Sequence, residues 1–392
     1  MINTRNIFVL IFISGLTFYL SNNLLDGTLK SEVNLGGELK SPPDSLYLWN
    51  IGKEAPFKYR ILHRAIVSGT YGALKSTPHD SGLFFTIYKT YALIAHVGAV
   101  LIFYFFIGIT DLKNLRLPGA VLYAMLPPLL LAYNVPVHTR EDTFAYCLLL
   151  TGIVGIIKNK PLIVLLTSLI GIFCRETLLI LPVIYLFFQH KQLFSLRVVI
   201  LLLTAGVFFL IRFYIGLNKY DHTEGLRWNL THPDQVFGFL FVSFGFLWFP
   251  FLLNLLTRKN NPIKLTNLDV LYRSAPTVVA LILITTFLGG IFNEIRLLYL
   301  LAPWVITLAL YQYEIRKLTI HQRLMSKSFL LFITITALVI VPLTIIIMRS
   351  YESFIPASKY GISYGKWIII TCIQVFLTLL TAPLFISPSK QD

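Results

Sequence analysis

Residues 161–188 read PLIVLLTSLIGIFCRETLLILPVIYLFF, two apolar halves separated by the charged pair Arg175-Glu176. Further uninterrupted apolar runs occur at 198–211 (VVILLLTAGVFFLI) and 328–347 (SFLLFITITALVIVPLTIII). Runs of this length and composition are typical of membrane spans, and backbone groups surrounded by lipid must form their hydrogen bonds internally. The sequence therefore predicts an all-α polytopic membrane protein.

The composition of the whole chain favours the same class. Of the 392 residues, 56% are hydrophobic and only 13% are charged, and the mean hydropathy is +0.73. A soluble domain carries roughly 25% charged residues, so this chain has too few polar side chains to cover a water-facing surface. We expect one transmembrane domain over residues 1–392, with about ten spans of ordinary length. The predicted spans are 7–22, 86–109, 117–134, 143–157, 198–216, 235–256, 270–290, 297–313, 328–348 and 366–386.

Segment 161–188 is either one long helix or a hairpin of two half-helices, and the basic loops around it decide between them. With the N-terminus in the cytoplasm, a hairpin places Lys158, Lys160 and Lys191 on the cytoplasmic side together with the most basic later loops. A through-going helix would put those later loops outside, against the positive-inside rule. We therefore expect a re-entrant hairpin whose tip lines a cavity, with both termini in the cytoplasm.

This topology also assigns a meaning to the net charge of +15. The basic residues are explained by cytoplasmic loops, so no nucleic-acid partner is expected. Most acidic residues then face outwards, which places any chemistry on the extracytoplasmic face. The expected location is a bacterial inner (plasma) membrane.

The long first loop, 23–85, carries the first candidate site residues. Asp44 precedes a predicted amphipathic helix from about Tyr59 to Leu74, which we expect to lie at the membrane interface. A carboxylate there can accept a proton from a sugar hydroxyl, and Arg60, with Arg64 four residues later, can hold a phosphate. The alternative is that Asp44 caps a short helix.

Two further charged groups adjoin or interrupt apolar runs. Arg140-Glu141-Asp142 immediately precedes one run, where its acids are candidates for catalysis; the alternative is that Asp142 caps the helix that follows. Arg175-Glu176 is embedded within 161–188, and charges so placed are costly and by default mark a functional site. The alternative is that this pair binds other charged groups and holds the hairpin tip in place.

The second half of the chain offers weaker candidates. Glu294 and Arg296 bring an acid and an arginine to the outer face between two spans, where Arg296 could equally be an interfacial anchor. Arg212 either snorkels to the interface or reaches into the cavity. The outer loop with His222 and His232 matches no standard metal motif, so we expect a solvated loop. No cofactor is required by the sequence, and a divalent metal has no support in it.

Some of these motifs resemble those of GT-C superfamily glycosyltransferases, in particular a poorly characterised bacterial branch. Asp44 with Tyr47, and Tyr59-Arg60-Ile-Leu62, resemble the Asp-x-x-Tyr and Tyr-Arg-x-Leu elements in the first loop of such proteins. Arg140 to Asp142 and Arg175 to Thr177 are similar to their later Arg-Glu-Asp and Arg-Glu-Thr segments. The resemblance covers roughly residues 1–190, and beyond that it is a matter of span number and the loop at 293–296.

The resemblance implies a polyprenyl-phosphate sugar as donor and an extracytoplasmic transfer with a first-loop carboxylate as base. Asp44 then becomes the candidate base, and Arg60, Arg140, Arg175 or Arg296 become candidate phosphate ligands. Many family members place the acid within a few positions of the first span, where this chain has Asp26, so Asp26 and Asp44 compete for that role.

The leading hypothesis is an inverting glycosyltransferase whose partners are a lipid-linked sugar, membrane lipid, and a glycan, lipid or protein acceptor. One alternative is a polymerase or ligase of cell-surface polysaccharide, although its usual large late outer loop is missing. Another is a non-enzymatic transporter or flippase of lipid-linked glycans. That class often has broken helices in matching halves, and only the segment 161–188 is predicted to be broken.

Overall fold

The computed structural model describes residues 4–24, 61–74, 81–126, 136–216, 222–257, 267–290, 295–324 and 364–386, with isolated positions between 326 and 346. All regular secondary structure in these ranges is helical, and no strand occurs in them. Asp26, Asp44, Tyr47, Arg60 and Glu294 lie outside the described residues.

The described ranges consist of a succession of α-helices. They are α1 (Thr4–Leu24), α2 (Ile61–Leu74), α3 (Ser81–Ile109), α4 (Arg116–Met125), α5 (Pro136–Ile157), α6 (Pro161–Ile172), α7 (Ile180–Phe188), α8 (Phe194–Ile215), α9 (His222–Thr231), α10 (Pro233–Phe244), α11 (Trp248–Leu256), α12 (Asp269–Gly289), α13 (Ala302–Leu324) and α14 (Tyr364–Ile386). Short 3₁₀ helices lie at Lys113–Leu115, Glu176–Leu179, Gly245–Leu247 and Ile295–Leu301.

Five stretches in the described ranges are long and apolar enough to cross a membrane. They are Lys89–Ile109, Phe194–Ile215, Val236–Leu256, Asp269–Gly289 and Leu297–Leu318. Shorter apolar helices include Thr4–Tyr19, Asp142–Ile157 and Thr371–Phe385. The predicted all-helical, membrane-compatible class is confirmed, whereas the number of about ten spans remains a prediction.

Two predicted spans show where the difference in number arises. The span predicted at 117–134 corresponds to α4, which ends at Met125, and residues 127–135 lie outside the described ranges. The span predicted at 328–348 is described only at isolated helical positions such as Leu331 and Ile346. Neither segment therefore counts among the long helices.

Segment 161–188 folds as a helical hairpin. α6 ends at Ile172, Arg175 has extended backbone angles, and the chain returns through the Glu176–Leu179 turn into α7. Just beyond α7, the Gln189 side-chain amide donates to the carbonyl oxygen of Ile156 at 2.6 Å, so the two ends of the hairpin lie together. The 12 residues of α6 rise about 18 Å, too little to cross a hydrocarbon core of about 30 Å.

Close packing explains the glycine at the top of the first arm. A Cβ atom on Gly171 would lie 2.6 Å from the Cδ1 atom of Leu178, which folds back from the other side of the break. Leu178 is completely buried in the main core. Glycine at 171 therefore allows the tip to close onto α6.

Aromatic side chains fill the centre of the bundle around the Ile295–Leu301 turn. The Tyr299 hydroxyl donates to the carbonyl oxygen of Tyr123 at 2.9 Å, and its ring lies 4.6 Å from that of Tyr146 between centroids. Trp304, at the start of α13, donates from its indole to the hydroxyl of Ser274 at 3.0 Å. The turn thus inserts between α4, α5 and α12, as irregular backbone at membrane depth must be covered by protein.

Three arginines bind backbone carbonyls close to helix C-termini. Arg197 donates to the carbonyl oxygen of Leu186 at 2.6 Å, and Arg116 donates to that of Gly108 at 3.3 Å. Arg316 donates to the carbonyl oxygen of Phe385 near the end of α14. Carbonyls in a last helical turn lack intrahelical partners, so these cations cap α7, α3 and α14.

Candidate functional site

Asp142 and Arg175 form an ion pair at the hairpin tip. Asp142 belongs to the N-terminal part of α5, and the Arg175 guanidinium contacts its Oδ1 atom. The exposed fractions of the two side chains are 0% and 2%, respectively. A charge removed from water this completely must be paired and hydrogen-bonded, so the pair fixes the tip against α5.

The next residue along the tip forms a second and more open ion pair. A Glu176 carboxylate oxygen lies 3.6 Å from the Nη2 atom of Arg212, in the last turn of α8. The exposed fractions are 18% for Glu176 and 17% for Arg212. The Arg212 guanidinium also lies over the ring of Phe208, with Cζ 3.6 Å from its centroid. A cation–π contact of this kind fixes the direction of the guanidinium without satisfying its N–H donors.

We call Asp142, Arg175, Glu176 and Arg212 the hairpin-tip cluster. Its members come from α5, the tip itself and α8, so their proximity depends on tertiary packing. Two cations and two anions leave the cluster formally neutral.

The first loop reaches the same place through its helix. The backbone N–H of Leu62, in the first turn of α2, donates to the carbonyl oxygen of Phe173 at 3.1 Å. Phe173 is the C-terminal cap of α6, so an unpaired helix-start donor meets an unpaired helix-end acceptor. Arg60 itself is not described, but it precedes Leu62 by only two residues. The predicted helix from about Tyr59 is confirmed over Ile61–Leu74.

The Ile295–Leu301 turn reaches the neighbourhood of the cluster through one aromatic contact. Tyr299, three residues after Arg296, contacts the ring of Tyr146, which lies one helical turn after Asp142 on α5. Arg296 belongs to the Ile295–Leu301 turn, and its side chain is not described. The Ile295–Leu301 turn therefore lies beside α5.

Helix α9 covers the end of α12 beside that loop. The Asn229 amide donates to the carbonyl oxygens of Phe287 and Gly290 at 2.9 and 2.8 Å. A Cβ atom on Gly225 would lie 2.7 Å from the carbonyl oxygen of Gly290, so the two backbones touch. The region is therefore helical rather than the solvated loop expected from the sequence, although Asn and Gly at i and i−4 would allow such a contact.

His232, which was weighed as a metal ligand, stacks on Trp228 with ring centroids 4.2 Å apart. Among the side chains that the structure describes, no group of three His, Cys, Asp or Glu residues could hold a metal ion.

The candidate site residues fall into three groups. Asp142, Arg175 and Glu176 are described with their side chains and meet at the tip. Arg64, Arg140, Glu141 and Arg296 lie in helices whose backbone is described, and Arg140 and Glu141 immediately precede Asp142 in α5. The remaining predicted site residues, Asp26, Asp44, Tyr47, Arg60 and Glu294, lie outside the described ranges. Arg212, for which the sequence left open snorkelling or a position in the cavity, pairs with Glu176 at the tip.

Comparison with protein-family models, curated proteins and solved structures gave no match for this chain. The chemistry must therefore be argued from the hairpin-tip cluster. Arginines at partly open positions beside an apolar helix can bind an anionic group, and the carboxylates can orient them or accept protons.

Proposed function

We propose that the protein is an integral-membrane glycosyltransferase that moves a sugar from a polyprenyl-phosphate donor to a glycan, lipid or protein acceptor. The observation that carries the proposal is the hairpin-tip cluster. Three candidate site residues predicted from two separate stretches of sequence meet there, next to the start of the first-loop helix. Charges gathered inside an apolar bundle are costly, and a site is the usual reason for them.

In this proposal the arginines neutralise the leaving phosphate. A carboxylate base accepts the proton of the acceptor hydroxyl, whose oxygen attacks the anomeric carbon from the face opposite the phosphate. The bond between that carbon and the phosphate oxygen breaks, its electron pair passes to the phosphate, and the configuration is inverted. Fixed cations near the developing charge supply most of the stabilisation.

The described geometry divides the roles among the acids. Asp142 is buried and bound to Arg175, so it suits positioning better than proton transfer. The base in the proposal is therefore Asp44, Asp26 or Glu141. Tyr47, Arg60, Arg64, Arg140, Glu294 and Arg296 remain proposed contacts of the substrates.

The proposal includes a topology of about ten spans and one re-entrant hairpin, of the GT-C type, within an inner (plasma) membrane. Both termini are cytoplasmic and the site faces outwards. The short hairpin arms support it, because their tip ends within the thickness of a bilayer rather than beyond it.

A transfer assay in membrane vesicles tests the proposal. The probes are polyprenyl-phosphate-linked hexoses, and product is measured as new glycosidic linkage to endogenous acceptor. We expect one of Asp44→Asn, Asp26→Asn or Glu141→Gln to lower the rate about 100-fold or more, the contribution of a general base. Asp269→Asn is the matched control, since Asp269 is an exposed carboxylate paired with Arg273 on its own helix. No transfer by the wild type, or full activity in all three variants, would contradict the proposal.

A transporter or flippase of lipid-linked glycans is the second candidate, and one structural observation favours it. The C-terminal half contains its own interruptions, the Gly245–Leu247 turn between α10 and α11 and the Ile295–Leu301 turn before α13. Gly245 has a positive φ of 50°, and the first turn interrupts the α-helix within the candidate span Val236–Leu256. Transporters place substrate between such broken helices. Movement of the labelled lipid across vesicles without any new glycosidic bond would select this function.

A further inference from the structure

Helix α8 is the least buried of the five long helices in the described ranges. Only 11% of its apolar stretch is buried, against at least 39% in each of the other four long helices in the described ranges. Phe209, Leu210, Phe213 and Tyr214, around Arg212, are all more than 60% exposed. On its other side α8 packs against both hairpin arms and the Glu176–Leu179 turn. Arg212 therefore lies where the hairpin tip meets the lipid-exposed edge of the bundle.

The two ion pairs of the hairpin-tip cluster differ in how readily they can change partner. The Arg175–Asp142 pair is covered, and separating it would leave an unpaired charge in the interior. The Glu176–Arg212 pair is partly open, and its closest N–O distance of 3.6 Å is longer than a charge-assisted hydrogen bond. Both side chains keep 17–18% of their surface exposed, so a headgroup beside α8 can reach this pair but not the Arg175–Asp142 pair.

We propose that Arg212 binds the phosphate of a polyprenyl-phosphate lipid that approaches between α8 and the hairpin tip, and that Glu176 holds the same guanidinium when the lipid is absent. This inference deepens the proposed function and rests on it for the class of lipid. A phosphate offers more charge and more acceptor oxygens than a carboxylate, so it can displace Glu176 from the guanidinium. Phe208 keeps the guanidinium at the edge in both states.

The exchange predicts opposite effects for the two members of one ion pair. Glu176→Gln removes the internal competitor and a like charge close to the phosphate, so affinity for the lipid rises severalfold. Arg212→Gln removes the ligand itself, so affinity falls about tenfold, the value of one charge-assisted hydrogen bond. Arg212→Lys keeps the charge but loses the planar fork, so its affinity for the lipid should lie between that of the wild type and that of Arg212→Gln. A purely structural salt bridge would give both neutral variants the same sign.

Binding is measured on the full chain in nanodiscs of zwitterionic lipid, by titration with a fluorescent polyprenyl monophosphate. The corresponding polyprenol tests for the phosphate, and inorganic phosphate tests for the lipid tail. Arg273→Gln is the matched control, because Arg273 pairs with Asp269 but lies at the start of α12. Size-exclusion profiles verify that each variant is folded.

We expect the polyprenyl monophosphate to bind more tightly than the polyprenol, inorganic phosphate not to compete at equal concentration, and Arg273→Gln to bind like the wild type. Unchanged binding by Arg212→Gln, weaker binding by Glu176→Gln, or equal binding of the polyprenol would overturn the inference. Competition by inorganic phosphate would assign the site to a free anion instead.

The transfer assay separates failure of this inference from failure of the proposed function. If the lipid binds as expected but no sugar is transferred, the glycosyltransferase proposal is contradicted and the lipid site stands. If sugar is transferred and Arg212→Gln has an unchanged KM for the donor, the lipid site is contradicted and the glycosyltransferase proposal stands.

Discussion

Two sets of arginines in this protein use the same side chain in different ways. Arg116, Arg197 and Arg316 donate to backbone carbonyls near helix ends, whereas Arg175 and Arg212 meet carboxylates at the hairpin tip. A carbonyl at a helix C-terminus needs a donor wherever the helix ends, so the first set serves the local backbone. The second set requires acids that other parts of the chain supply.

The contrast matters for a chain with a net charge of +15, because an arginine that caps a helix needs no ligand to explain it. Every arginine of the carbonyl-bound set comes from a stretch that the sequence assigns to the cytoplasmic side. Both arginines of the hairpin-tip cluster belong to the predicted outer half. Charge alone therefore says little about function here, while the type of partner separates helix caps from a candidate site.

The largest expected effect is in the side of the membrane from which a substituted cysteine can be labelled, because each position is labelled from one side only. In a variant without the three native cysteines, Lys158→Cys and Lys191→Cys should react from one side of sealed vesicles, and Thr231→Cys from the other. Lys158, Lys191 and Thr231 are exposed, and the Gln189–Ile156 hydrogen bond holds the first two near the same end. The measurement is modification by a membrane-impermeant maleimide before and after lysis. Labelling of Lys158→Cys and Lys191→Cys from different sides would contradict the re-entrant hairpin.

The buried pair gives the largest expected change in stability. Arg175→Met leaves the Asp142 carboxylate buried without its cation, which should lower the free energy of unfolding by about 3–5 kcal/mol. The double variant Asp142→Leu/Arg175→Met removes both charges and should recover most of that loss. Unfolding is followed by circular dichroism during SDS titration in mixed micelles. Equal destabilisation by the single and double variants would show that packing, not the unpaired charge, is responsible.

Local features of this fold could be predicted from the sequence. The helices and the break at 173–179 follow from local pattern, because long apolar runs must be helical in lipid and two charges interrupt one of them. The turn at Ile295–Leu301 was predicted as the start of a span. The span is found at Leu297–Leu318, but its first residues are 3₁₀-helical, and the α-helix begins at Ala302 beside Pro303, which lacks a backbone N–H.

Pairing between distant residues was harder to predict than helices. Glu176 and Arg212 lie 36 positions apart, and their contact depends on how α8 is rotated against the hairpin. No periodicity encodes that rotation, because α8 is apolar on nearly all sides. The convergence of Arg175 with Asp142 was expected only as a general gathering of charges on one face, without naming the partners.

A carbonyl-bound arginine should give an intermediate change in stability. Arg197→Met removes the hydrogen bond to the carbonyl oxygen of Leu186, which should lower the free energy of unfolding by about 1.5–3 kcal/mol, the value for a bond to a charged group. Lipid-phosphate binding should stay unchanged, because Leu186 lies in the second hairpin arm, away from the tip. The same SDS titration measures the first quantity, and the nanodisc titration measures the second. An altered lipid affinity in Arg197→Met would contradict the distinction between the carbonyl-bound arginines and the arginines of the hairpin-tip cluster.

Arg212 should show the smallest change in stability and the clearest change in binding. Its N–O distance of 3.6 Å from Glu176 is too long for a direct hydrogen bond, so Arg212→Gln should lower the free energy of unfolding by less than the roughly 1.5–3 kcal/mol expected for Arg197→Met. Arg197→Met should therefore cause the larger loss of stability, and Arg212→Gln the larger loss of lipid affinity. SDS titration of Arg212→Gln beside Arg197→Met tests this order directly. A side chain whose role is to bind a ligand contributes little to the stability of the ligand-free fold. If Arg212→Gln lowers the free energy of unfolding as much as Arg197→Met does, Arg212 has a structural role at the tip instead.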